Sequence, residues 1–161
     1  MIIREKQHRL RERNYQGEVS VSFTLCIKDR VQLFKSPSAV NVFINILKSQ
    51  VKESSCIIPV YCFMPDHQHL IVTGTDSTSG VLDFIKAYKQ KTGYWLSQNL
   101  SSASWQKDFF DHIIRKDEGP VNIARYILDN PVRKGLVDNW QEYPFKGAIG
   151  CELDYILQAM V

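Results

Sequence analysis

The chain has no apolar stretch approaching the ~20 residues that a membrane-spanning helix needs. Its opening segment, Met1 to Gln16, is basic and polar rather than built like a secretory signal. A soluble protein that stays in the cytoplasm is the expectation. Cysteine is scarce. Cys26, Cys56, Cys62 and Cys151 lack paired metal-ligand spacing, and a chain of 161 residues needs no disulfide staples. Internal repeats, low-complexity tracts and linkers rich in glycine, serine or proline are also missing, which excludes solenoids and strings of modules.

What is present suits one domain. At 44% hydrophobic over 161 residues, the chain can bury one real core but not two. We read a single domain over 1–161: a basic arm over 1–17, a core over 18–137 and a tail over 138–161. Formal net charge is +3, and Arg4, Lys6, Arg9, Arg11 and Arg13 against Glu5 and Glu12 place that excess in the arm. Such an arm suits a phosphate backbone, and equally describes an ordinary solvated terminus.

Periodicity gives the element order. Val19 to Lys28 alternates apolar and polar residues as a strand does. Pro37 opens a helix to about Val51, with Val40, Phe43, Ile44 and Leu47 at helical spacing. Cys56 to Phe63 and His67 to Thr73 form a hairpin about Pro65-Asp66. An amphipathic helix follows over Ser79 to Leu96, started at Thr78-Ser79. Trp105 to Arg115 reads as a fourth strand, and Gly119-Pro120 opens a helix that ends near Pro131. The order β-α-β-β-α-β followed by helices implies an α+β fold of the ferredoxin-like, split β-α-β type. Four antiparallel strands are expected, with helices on one face plus C-terminal helices.

Two stretches carry chemistry. His67-Gln68-His69 lies on a strand, where residues two apart share a face, so both imidazoles project side by side at a spacing suited to one metal ion. The same short pattern also occurs on plain solvent-facing strands. On the last helix, Val121, Ile123, Ala124, Ile127 and Leu128 fill one arc, while Asn122, Arg125, Tyr126, Asp129 and Asn130 fill the other. Tyr126 is therefore off the core stripe, and Asn130 stands one turn further on, beside it. Half-buried packing and helix termination before proline are the bland accounts of these two residues. Asp66 either orients an imidazole or is turn chemistry. His112 reads as a satisfied histidine rather than a third ligand, and Lys86, Lys89 and Lys91 either touch phosphates or, as is commoner on an amphipathic helix, form its solvated side.

Taken together, YCFMPDHQHLIV (61–72), WQKDFFDHIIR (105–115) and YILDNPVRKGLV (126–137) resemble the REP-associated tyrosine transposases, within the single-tyrosine HUH transposases. The similarity runs from about Val19 to the YPF at Tyr143 to Phe145. It implies a ferredoxin-like fold, His67 and His69 as the metal pair, Tyr126 as nucleophile and Asn130 as the amide ligand one turn later. Gln68 stands where the family usually has a bulky hydrophobic residue. The resemblance further implies Mg²⁺ or Mn²⁺, a substrate of single-stranded or hairpin DNA, and a 5′-phosphotyrosine intermediate. It favours a monomer, although insertion-sequence relatives form dimers that share active sites. Two other readings stay open at this point: a binding module of the same fold without catalysis, and a metal hydrolase using water.

Overall fold

A computed structural model describes residues 12–158. Most of the basic arm therefore lies outside the described residues. The sheet has the strand order β4-β1-β3-β2-β5, with all neighbours antiparallel: β1 (Ser20–Cys26), β2 (Cys56–Met64), β3 (His67–Gly74), β4 (Phe110–Ile113) and β5 (Lys146–Ile149). Strands 4-1-3-2 are the split β-α-β arrangement. The fifth strand, from beyond the expected end of the core, makes five where four were expected.

Alternation along the central strands sets what covers each face. Ile58, Tyr61, Phe63, Leu70 and Val72 belong to one buried cluster, and Val60, Cys62, Met64 and Ile71 to another. Neighbouring strand residues point to opposite faces, so the centre of the sheet is buried on both sides. A register shift between Ile57 and Val60 keeps Ile58 and Tyr61 on one face despite their odd spacing.

Helices α1 (Pro37–Glu53) and α2 (Val81–Asn99) cover the first face with Val40, Phe43, Leu47, Phe84, Ile85 and Tyr88. Ser36 caps α1, its hydroxyl accepting from the Ala39 amide at 3.4 Å, with Pro37 preset for the first turn. Helix α3 (Pro120–Arg133) covers the other face, packing Ala124, Ile127 and Leu128 on Val60, Cys62, Met64 and Ile71. Helices thus occupy both faces, because both sides of β2 and β3 are apolar. A short α4 (Leu153–Gln158) follows β5.

Several boundaries differ from expectation, and three have a visible cause. The fourth strand is only Phe110–Ile113: Trp105 forms an isolated bridge to Ile27, and its indole N–H donates to Thr92 Oγ1 at 2.8 Å. Helix α2 starts after Gly80, since the Ser79 hydroxyl instead accepts from the Thr75 and Asp76 amides. Helix α3 runs through Pro131 to Arg133. Gly135, at φ +69°, ends it: the Gly135 amide donates to Val132 O and the Leu136 amide to Pro131 O. That pair of bonds satisfies the last carbonyls and requires the left-handed backbone that glycine adopts cheaply.

The tail packs on the core at Tyr143 and Phe145. Tyr143 is buried, and its hydroxyl donates to the carbonyl of Phe63 in the strand leading to the histidines. At the other end Tyr15 is buried and its hydroxyl donates to the buried Asp111. Among the described residues, no helix is long and apolar enough to cross a membrane.

Candidate functional site

Strand β3 carries His67 and His69 on the face covered by α3, and puts Gln68 on the face covered by α1 and α2. The two imidazoles are perpendicular, with their Nε2 atoms 3.1 Å apart. Their outer nitrogens are engaged elsewhere. His67 Nδ1 donates to Asp66 Oδ1 at 2.6 Å, and His69 Nδ1 pairs with the Thr24 hydroxyl at 3.0 Å across the β1–β3 register. Asp66 is held in turn by Arg30, whose Nε lies 3.0 Å from Oδ2. An Nδ1 that donates leaves a lone pair on Nε2. The lone pair of His67 Nε2 therefore faces His69 Nε2, and either a proton carried by His69 or a shared metal ion suits the space between the two nitrogens.

Burial keeps both rings neutral. His67 is 6% exposed, and desolvation lowers its pKa, with Asp66 opposing and the charges of Arg30 and Lys134 assisting. His69 is pushed down to about 3, first by burial, then by His67, Arg133 and Arg30. Neutral imidazoles oriented by an outer carboxylate and hydroxyl are what metal ligation needs, so the donor set fits a metal ion. Among the described residues no group of three or more His, Cys, Asp or Glu side chains gathers that would hold one.

Helix α3 supplies the other candidates. Tyr126 is 50% exposed, as its place off the core stripe implies, and the guanidinium of Arg133 lies 3.8 Å from the centre of its ring. Asn130 differs from the polar arc expected for it: it is buried, 6% exposed. At ~100° per residue it falls at the border between the buried arc and the strip holding Tyr126 and Arg133, and packing of α3 on the sheet covers that border. The structure thus brings the histidines together and places Tyr126 and Asn130 on the helix that covers their face.

A cleft of about 190 Å³ opens beside His67, lined among others by Arg30, Pro65, Asp66, Lys134 and Leu136. Arg30, Thr24, Arg133 and Lys134 are site residues that the sequence reading did not select. Arg133 was within reach, since it lies seven residues after Tyr126 and so on the same helix side. Thr24 had no local signal. His112 is satisfied, with Nε2 2.7 Å from Glu118 Oε2, and Lys89 donates to the carbonyls of Gln106 and Lys107. His112 is the satisfied histidine expected, whereas half-buried Lys89 ties α2 to the segment before β4 rather than lying on a solvated helix side.

Comparisons with known proteins bear on the family and on the fold. Residues 15–130 match the model of the IS200-like transposase family. A Haemophilus influenzae protein assigned as a REP-associated tyrosine transposase is 26% identical, with 76% of each chain covered. The structure of a REP-associated tyrosine transposase bound to a REP hairpin superposes with a TM-score of 0.73 at 20% identity, covering 88% of this chain and 81% of that one. A Deinococcus radiodurans protein assigned as a transposase gives 0.52 at 17% identity, over 75% of this chain and 95% of that one. The family match spans more than half of the chain, and the resemblance carried by its motifs is to the same group: this protein belongs to the IS200-like family of DNA transposases.

Proposed function

We propose that the chain is a metal-dependent, single-tyrosine enzyme that nicks and rejoins single-stranded DNA at a hairpin or repeat, acting as a monomer. The observation that carries this reading is the convergence of His67 Nε2 and His69 Nε2 at 3.1 Å with both outer nitrogens engaged. Hairpin DNA is taken from the solved relative described as bound to a REP hairpin.

His67 Nε2, His69 Nε2 and the Asn130 amide oxygen would hold Mg²⁺ or Mn²⁺, which when bound supplies Lewis-acid polarisation of a phosphate. Asp66 holds the proton of His67 on Nδ1, which leaves its Nε2 free to ligate, and Thr24 orients the His69 ring. Tyr126 is the nucleophile. Its phenolic oxygen gives its proton to water and bonds to phosphorus as the bond from phosphorus to the 3′-oxygen breaks. That oxygen leaves and takes up a proton as a 3′-hydroxyl, and the DNA 5′ end stays on Tyr126 as a phosphotyrosine diester. Because the ester bond is exchanged rather than hydrolysed, a 3′-hydroxyl can reverse the step and join strands. The half-exposed ring of Tyr126 suits a residue that must meet a macromolecular substrate.

A labelled hairpin oligonucleotide with a single-stranded flank, incubated with protein and Mn²⁺, tests this on a denaturing gel. A protein-DNA adduct that disappears in Tyr126→Phe is the expected result. Cleavage that persists in that variant would instead mean a water nucleophile, and binding without cleavage a module that has lost catalysis.

A further inference from the structure

Arg133 has a place in this site but no task in the scheme above. Its guanidinium carbon is 3.8 Å from the centre of the Tyr126 ring, a stacking distance. Seven residues on a helix fall roughly 20° short of two turns, so the two side chains rise along one line of α3. Tyr126 is half exposed, and core packing does not fix its ring. Among the described residues, no carboxylate forms an ion pair with Arg133.

We propose that Arg133 is the positioning residue of the nucleophile, holding the Tyr126 ring by its flat face while its edge takes an oxygen of the scissile phosphate. The inference rests on Tyr126 being the nucleophile. A guanidinium stacked on a ring uses only its face for that contact. Its five N–H donors lie in the plane and point outward, so the fork that matches phosphate stays available. The neighbouring Lys134 lines the cleft beside His67, together with Arg30. The end of α3 thus brings one cation to Tyr126 and the next to the metal pair. Lysine in place of Arg133 would keep the charge but lose the plane.

The test uses the full chain, Arg133→Gln and Arg133→Lys, with the labelled hairpin and Mn²⁺. Arg133 is exposed, so the variants are expected to melt with the wild type. Arg133→Gln is expected to slow adduct formation at saturating DNA by roughly tenfold to a hundredfold, the range typical of a misplaced reacting group. It should also reduce the salt dependence of hairpin binding by about one counterion. Arg133→Lys is expected to restore the salt dependence but not the rate. An unchanged rate in Arg133→Gln, or full recovery of the rate in Arg133→Lys, overturns the positioning role. A slower rate with an unchanged salt slope overturns the phosphate contact, and a loss matched by a fall in melting temperature makes Arg133 merely structural. If the wild-type chain forms no adduct, the nucleophile reading fails by itself. The slope then decides: a fall of about one supports the phosphate contact and no change overturns it.

Discussion

Asp66 and His67 are adjacent in sequence, yet their side chains meet at 2.6 Å, carboxylate to Nδ1, on the outer side of the histidine pair. The contact fixes which nitrogen of His67 faces His69. Asp66→Asn removes the charge that favours this tautomer, and is expected to weaken Mn²⁺ binding by roughly tenfold to a hundredfold. Calorimetric titration of the metal, with the far-ultraviolet spectrum as a control for folding, measures it.

Tyr126→Phe should leave stability within ~0.5 kcal/mol of the wild type, because the hydroxyl of a half-exposed residue contributes little to packing. The same variant is expected to lose adduct formation entirely while binding hairpin DNA nearly as well. A large fall in the urea midpoint would assign Tyr126 to the core instead.

Acid should weaken the metal-free fold in a window that the histidines define. Both pKa values are lowered by folding, that of His69 to about 3. Below the unfolded value of ~6.5, the unfolded chain takes up protons that the folded chain refuses, so stability falls as pH drops from there toward 3. Urea midpoints at pH 7.5 and 5.5 are expected to differ, and His69→Ala should flatten the difference. Choosing pH 5.5 keeps the carboxylates largely ionised.

Gln68 offers a test of core polarity. Its Oε1 accepts from the buried Tyr88 hydroxyl at 2.6 Å, while its Nε2 has no partner among the described residues. Gln68→Leu alone strands the Tyr88 hydroxyl and is expected to cost ~1–3 kcal/mol. Adding Tyr88→Phe should recover most of that loss, since replacing both partners by apolar groups is nearly neutral. Urea unfolding of the two singles and the double closes the cycle.

Much of the fold was legible because it follows local periodicity. Strand alternation in SVSFTLC and HQHLIVTG and the helical spacing of Val40, Phe43 and Leu47 each gave an element of the right type. The errors came where a local rule met a stronger neighbour. Pro131 did not stop α3, because packing holds it and Gly135 supplies the true C-terminal signal four residues on. The Trp105 strand broke where its chain leaves β1, and β5 was too short a run to read as a strand.

At the site, backbone periods of 2 and 3.6 alone put His67 and His69 on one face and Tyr126 off the core stripe. The tertiary structure decided which ring nitrogens face one another. Thr24 reaches His69 across 45 residues through the β1–β3 register, and no local pattern encodes that pairing. It also decided that the rings are neutral, since desolvation depends on α3 covering them. The meeting of Arg133 with Tyr126 lies between the two: the helix sets their alignment, and the side-chain packing closes it to 3.8 Å.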